Sequence, residues 1–594
     1  MSIVTLKKMT VAGCVEAREQ ILTDLQELGC LHLLDLAPAG ERGEQSSTRS
    51  ESREALKYLL NCPNKRRPVT DASKFDPLDV ERQALEVQQR VQELTSEHDL
   101  LVERLRDLEP WGEFRFASLE EMGGYRLWFY AVPHYQIDEV KQSELSWHIV
   151  NQDNRLIYVV VISEREPEGM PVPRMHLGTM PRSDVAARLE EVELAIADAE
   201  AERASLTRWG LLLAKCLAHL EDAETRANAK QHTLANEDVF ALSAWLPADK
   251  LPQVEAYARE HSLVLEARDP EPDETPPTLF DNRPLAASGE DLVSFYMTPS
   301  YWTWDPSGVV LFSFAVFFAM IVSDAGYGLL FVLGVLGLWK RLGKSIGGSR
   351  IRNTLAAVSV ATLVYGVLVA SYFGMTPPAG SWLFRLRVLE MQDSQTMMLI
   401  SVIIGVAHVA FANVMNAVRF GWQGKALAPL GWALMIIGAF FAALGNGLEM
   451  ATMFDVGLGL LGGGALLVFL FSGAGSKPLK RMVQGLFAFT RVSKAFGDIL
   501  SYLRLFALGL ASASLAMAFN DMAGQIKEAV PGVGLLFALV VLLLGHTINV
   551  VLAIASGVIH GLRLNVIEFF DWGVPDEGRL YKPFKRKETV PWNP

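Results

Sequence analysis

Two arginines stand in surroundings that penalise them. Arg504 lies within GDILSYLRLFALGLASASLAMAF, residues 497–519, and Arg563 within a second apolar stretch near 534–572. A guanidinium at bilayer depth costs ~2.5–3.5 kcal/mol even on a lenient insertion scale, so each should face protein or water. The residues after Arg504 are nearly all small, Ala507, Ala511, Ser512 and Ser514 among them, and make a surface that another helix can approach closely. Along the second stretch, steps of three and four residues give His546, Asn549, Ala553, Ser556, His560 and Arg563, polar at every position but Ala553. Each polar group inside a membrane must find a partner or water. Such a stripe either lines an aqueous or proton-conducting path or glues helices together by hydrogen bonds. Glu568 and Asp498 are candidate partners for the arginines. His408 and Asn416 are weaker polar positions in an earlier span, and Asp324 reads as a turn residue.

Other patterns exclude chemistry. GLGLLG at 457–462 fits a dinucleotide fingerprint but lies inside an apolar span with no preceding strand, so it reads as a close-packing helix surface. GLWKRLGKS at 337–345 resembles a phosphate loop with one residue too many between its glycines. No nucleotide site, cofactor or nucleic-acid surface is expected. The four cysteines, Cys14, Cys30, Cys62 and Cys216, form no CxxC pair and predict no metal site. Their lack of regular spacing suits a reducing compartment. The N-terminus, MSIVTLKKMTVAGC, has no apolar core of a cleaved signal.

The elements that carry these residues fall into two halves. Residues 1–300 hold 32 Lys+Arg against 53 Asp+Glu, and residues 301–594 hold 22 against 14. An acidic soluble half therefore precedes a basic membrane half, with boundaries expected at 1–300, 301–575 and a basic tail, 576–594. The run from 308 to 339 is too long for one crossing of a core about 30 Å thick. A break at Ser323, Asp324 and Gly326 makes it two spans. Further spans are predicted near 353–373, 395–418, 427–447, 452–473, 484–519 and 534–572, eight in all, the last two long and tilted. With both termini inside, 17 Lys and Arg fall in inner loops and tail against three in outer loops, the asymmetry expected of cytoplasmic ends.

In the soluble half, residues 3–36 read as strand, helix, strand, and 40–53 as an exposed polar loop. Heptad-like spacing over 80–109 and 182–222, separated by the strand-like YRLWFYAV and LIYVVVIS, predicts an antiparallel coiled-coil hairpin carrying a second α/β lobe; two ordinary amphipathic helices are the alternative. The chain returns through VFALSAWLP and an acidic linker, DPEPDETPP at 269–277. The fold class is thus two-part, cytoplasmic α/β lobes joined by a coiled-coil hairpin and then an all-α membrane domain.

SYLRLFALGLA around Arg504, HGLRLNVIEFF around Arg563, SDAGYG at 323–328, the WDP at 304–306 and MMLISVIIGVAH at 397–408 resemble the large membrane subunit of rotary V-type and archaeal-type ATPases, subunit a or I, of prokaryotic length. The resemblance covers nearly the whole chain. It implies a non-catalytic stator and ion-translocating subunit of an ATPase or ATP synthase in the prokaryotic plasma membrane. It further implies offset half-channels for hydrogen ion transport, built against a proteolipid ring of c/K subunits. Arg504 would stand between them, with Arg563, His546, Asn549, Ser556, His560 and Glu568 along the path. Ala507, Ala511, Ser512 and Ser514 would pack on the ring. Implied partners are peripheral stalk subunits of E and G type and the central-stalk ring adaptor. Members of that family often carry an acidic residue where this chain has Ala553. The residues alone leave open a self-contained transporter or channel, or a membrane-anchored scaffold whose arginines only join helices.

Overall fold

The computed structural model describes residues 2–36, 48–114, 120, 122–178, 180–344, 346–391, 393–421, 423–474, 477–529 and 533–587. Eight strands occur among them: β1 Leu6–Cys14, β2 His32–Leu34, β3 Arg126–Pro133, β4 Ser146–Gln152, β5 Leu156–Ser163, β6 Leu234–Ala235, β7 Val239–Pro247 and β8 Val264–Arg268. The chain divides into two compact units. One holds Glu19–Gly29, Ala37–His232 and Lys585–Pro594; the other holds Met1–Arg18, Cys30–Leu36 and Thr233–Phe584.

The first unit is built on two long helices, α1 Pro77–Leu108 and α2 Arg182–Leu206. Asp76 caps α1 by accepting from the amides of Leu78 and Asp79, and Pro77 occupies the first turn, where its missing N–H costs nothing. The helices run antiparallel: Arg90 pairs with Glu202, and Glu97 pairs with Arg188, each at 2.8 Å. Val185 and Val192 of α2 pack in one core with Leu101 and Leu108 of α1 and with Phe129 and Tyr158 of the antiparallel sheet β3-β5-β4. The heptad-like pattern expected through 222 is interrupted by a 3-10 turn, Thr207–Trp209, before α3 Gly210–Gln231. Of the loop expected at 40–53, residues 40–47 lie outside the described residues and the rest belong to a helix, Thr48–Leu60.

The second unit joins a sheet ordered β2-β7-β1-β8, with β6 on β7, to the apolar helices. VFALSAWLP is the strand β7, paired with β1 from Leu6 to Cys14. Among the described residues, seven segments are long and apolar enough to cross a membrane. They are α5 Ala325–Leu342, α6 Ile346–Val369, α7 Ser394–Arg419, α8 Leu427–Gly447, α9 Ala451–Phe471, and two longer assemblies containing α10 Leu503–Ala529 and α11 Gly534–Arg563. A shorter apolar helix, α4 Ser307–Val322, has 16 residues. It ends at Ser323 in the left-handed conformation, and Asp324 caps α5 through the amide of Tyr327. Glycines set how closely helices approach. Gly431, Gly438 and Gly445 of α8 lie against α9, where an added Cβ would come within 2.8, 2.5 and 2.5 Å of backbone atoms. Gly457 of the nucleotide-like motif and Gly464, two residues beyond it, complete that seam.

One expectation needs correction here. The stretch 497–519 is not one helix: a helix Val492–Leu500 ends, Ser501 and Tyr502 turn, and α10 begins at Leu503. Tyr502 is wholly buried and its hydroxyl bonds His408, a tertiary anchor that no helical periodicity encodes. Beyond 575 the chain pairs back onto earlier segments. Glu577 bridges Pro299, Leu580 bridges Thr278, and Phe584 bridges Leu31.

Candidate functional site

Arg504 occupies the first turn of α10, where the Ser501–Tyr502 turn delivers it, and is partly buried. One guanidinium nitrogen, Nη1, is buried without a hydrogen-bond partner. Around it act the charges of Arg563, at the end of α11, and of Glu568. Beyond Arg563 the helix widens into a π segment, Leu564–Phe569, before a last turn, Phe570–Gly573. Such segments cluster at functional sites because the extra residue per turn re-aims side chains. Here Glu568 is turned inward and buried, near enough to Ser501 for the two to interact, while its Oε2 remains unbonded. His560 adjoins both arginines electrostatically, and its Nδ1 is likewise buried and unbonded. Thus a guanidinium nitrogen, a carboxylate oxygen and an imidazole nitrogen, within electrostatic reach of the two arginines, are each left unbonded. Leaving such groups unpaired costs about 1–3 kcal/mol each, so the cluster is a place for water or another chain's polar group.

The remaining stripe residues are arranged differently. Asn549 is 1% exposed and its Nδ2 donates to the hydroxyl of Tyr327 at 3.1 Å and to the carbonyl of Ser512 at 3.0 Å. On the far side of the His546 ring Asn520 Oδ1 can only accept, so the neutral ring carries its proton on Nε2 and its Nδ1 accepts from the Tyr327 hydroxyl at 2.7 Å. His546 Nε2 donates to Asn520 Oδ1 at 3.1 Å, and Asn520 Nδ2 donates to the carbonyl of Phe373 at 2.7 Å. Every link points one way, and both imidazole nitrogens are occupied. Ser556 is half-buried between the two groups, and Ala553 is buried against Phe314 and Phe318.

Asp324 organises the neighbouring loop, accepting from Ser371 Oγ at 2.7 Å and from the amides of Phe373 and Gly374 at 2.9 Å each. A polar cavity of about 240 Å³ lies beside it, between Arg387 and Glu390 and the α10 residues Leu510, Ala513 and Met517. Asp498 bonds the indole of Trp572 at 2.8 Å rather than either arginine, and Asn416 donates to the Trp572 carbonyl at 3.1 Å. On α10, Ala507, Ala511 and Ser514 share an exposed face, whereas Ser512 points the other way, buried at 8% and engaged with Asn549. Tyr327, Asn520, Ser501 and Tyr502 are participants that charge and periodicity did not single out. Tyr327 and Tyr502 do lie inside the SDAGYG and SYLRLF motifs. Among the described residues, no group of three or more His, Cys, Asp or Glu could hold a metal ion.

No family model matches the chain. A V-type ATP synthase subunit I of Chlamydia muridarum is 30% identical over 446 residues, covering 64% of this chain and 67% of that one. The chain belongs to the V-type and A-type ATP synthase subunit I family. A second member, V-type ATP synthase subunit I of Chlamydia pneumoniae, is 26% identical over 555 residues, 81% of each chain. An archaeal one, A-type ATP synthase subunit I of Methanocaldococcus jannaschii, is 28% identical over 444 residues, covering 67% of this chain and 63% of that one. With its apolar helices, the subunit I chain described here is a multi-pass membrane subunit of a rotary ATPase.

Proposed function

We propose that this chain is the stator and ion-translocating subunit of its rotary ATPase, with Arg504 at the contact between it and a proteolipid ring. The observation that carries this reading is the unbonded Arg504 nitrogen, buried beside Glu568, Arg563 and His560 on a helix whose adjacent face exposes Ala507, Ala511 and Ser514. A ring carboxylate crossing lipid must be neutral, because burying it ionised is too costly. Opposite Arg504 its charged form is favoured, and the proton leaves. Two half-channels offset around Arg504 then oblige protons to travel with the ring. The cluster of Ser556, His560, Arg563 and Glu568 serves one of them, and the cavity beside Glu390 opens toward the other.

In this reading α4 is an eighth span, paired with α5 around Asp324, and both termini are cytoplasmic in the prokaryotic plasma membrane. The basic loops support this; α4 itself, 16 residues and about 24 Å at 1.5 Å per residue, is shorter than a core of about 30 Å and relies on the protein around its ends to complete the crossing. Residues 1–300 form the cytoplasmic stator part, 301–575 the membrane domain and 576–594 the tail. The α1–α2 pair is a coiled-coil arm that meets E- and G-type peripheral stalks, while the ring adaptor of the central stalk turns nearby. A second reading holds for His546 and Asn549. Their polar atoms are all bonded within the fold, which favours interhelical glue over a conducting path.

The test is proton transport in inverted vesicles bearing the whole complex, wild type against Arg504→Ala and Arg504→Lys, with assembly checked by co-purification of ring and ATPase subunits. Both variants are expected to assemble and to lose transport. An assembled Arg504→Ala complex that still pumps makes the arginine structural and ends this reading.

A further inference from the structure

An apolar groove in the membrane part lies away from Arg504. It has a volume of about 800 Å³ and runs between α4 and α6, walled by Phe312, Val316, Val360 and Val364, with Trp339 and Asn353 where α5 ends and α6 begins. That volume falls within the ~300–1,000 Å³ of ordinary ligand sites. Its walls have almost no polar atoms to hold water, and in a bilayer the molecules at hand to fill it are acyl chains.

What distinguishes this groove is the charge at its mouth. The guanidinium of Arg352 lies over the ring of Trp339, 4.3 Å from its centroid, so it is anchored on a wall residue of the groove. Its Nε is buried with no hydrogen-bond partner, and among the described residues it forms no ion pair. Arg350, by contrast, is neutralised by Glu290 at 3.1 Å and Asp291 at 2.9 Å. Lys340, Arg341 and Lys344 are exposed at the same end. A half-buried cation held on an aromatic face, unpaired at the end of an apolar trough, is complementary to a phosphodiester carrying acyl chains.

We propose that the α4–α6 groove binds an anionic glycerophospholipid, its phosphate on Arg352 and its acyl chains along Phe312, Val316, Val360 and Val364. Zwitterionic lipids would lie in the same trough with less preference, because their choline or ethanolamine cation meets the basic mouth. The lipid would fill the space beside the short helix α4, and so would support a helix that packs directly on α10 and α11.

The experiment uses the full chain, stripped of lipid in detergent and titrated with dioleoylphosphatidylglycerol or dioleoylphosphatidylcholine, with retained lipid counted by native mass spectrometry. Wild type is expected to retain one phosphatidylglycerol with a preference of roughly fivefold, the worth of one basic side chain near an anionic headgroup. Arg352→Gln should bring the two lipids to parity, while Arg352→Lys keeps most of the preference and serves as the folding control. Val360→Trp, which fills the trough from an exposed wall position, should expel both lipids. The proposal is overturned by equal retention of the two lipids in wild type, by a preference that survives Arg352→Gln, or by lipid retention indifferent to Val360→Trp.

Discussion

At the scale of single residues, the two polar groups on α11 differ in whether their bonds are closed. Tyr327 is 1% exposed and spans Asn549 and His546 with one hydroxyl. Replacing it by Phe leaves Asn549 with the Ser512 carbonyl and His546 with Asn520 alone. The expected cost is about 1–2 kcal/mol of stability in thermal unfolding of the purified complex. Proton transport by the assembled complex should be unchanged, because the glue has lost a bond and no carrier has been removed. Transport abolished in a well-assembled Tyr327→Phe complex would put His546 and Asn549 back on the ion path. The polar stripe itself was legible in the sequence from its spacing of three and four. Its division was not. Whether His546 is satisfied depends on Tyr327 and Asn520, which come from other helices, and no periodicity within α11 carries that information.

At the scale of elements, most apolar helices could be drawn from composition alone, and the break at Ser323–Asp324 followed from length against bilayer thickness. The break at Ser501–Tyr502 escaped because the apolar pattern runs through it unbroken, while the structure takes a turn to bury Tyr502 against His408 and Phe317. The π segment after Arg563 is invisible because its partner lies on another helix: Asn565 within it accepts from Ser313 Oγ of α4 at 2.5 Å. Glycines on one helix test this packing directly. A Cβ at Gly509 would stand 2.5 Å from the Met320 carbonyl and 2.9 Å from Ser323 Oγ, so Gly509→Val must lever α10 off α4. Overpacking of this kind costs about 1–3 kcal/mol. Gly524, on the same helix, has nothing within 4 Å, and Gly524→Ala should be neutral or stabilising by up to ~1 kcal/mol through helix propensity. Detergent-phase thermal melts of the two variants should therefore move in opposite directions. If both fall alike, the close approach of α10 to α4 is not what holds this interface.

At the scale of the whole molecule, the acidic stretch 269–277 changes character between sequence and structure. Composition reads it as an exposed linker, yet Glu274 within it is a junction. Its carboxylate accepts from Lys8 Nζ on β1 and Arg268 Nη2 on β8, each at 2.6 Å, and from the Glu271 amide at 3.0 Å. Its carbonyl accepts from the Trp302 indole at 3.0 Å, just ahead of α4. Segments far apart in the chain, including both ends of the sheet-forming sequence and the entrance to the membrane helices, therefore share one acidic residue. Burial pushes this carboxyl up, but the bonds from Lys8, the Glu271 amide and Arg268 outweigh it and hold it at about 2, against an ordinary value of 4.5. A carboxyl depressed by folding contributes stability that is complete above its unfolded value and is lost as pH falls toward its folded one. The junction should hold unchanged from pH 7 to about 5 and weaken between 4.5 and 2. Because Lys8 and Arg268 remain partly solvated, screening limits the contribution to about 0.5–1 kcal/mol, less than the shift at face value implies. Hydrogen exchange of the backbone amides over 269–280 would report it locally. Glu274→Gln should speed that exchange at pH 7 and remove most of its rise below pH 4.5. A wild-type acid rise that persists undiminished in the Gln variant would assign the transition to other carboxylates and return 269–277 to the role of a plain linker.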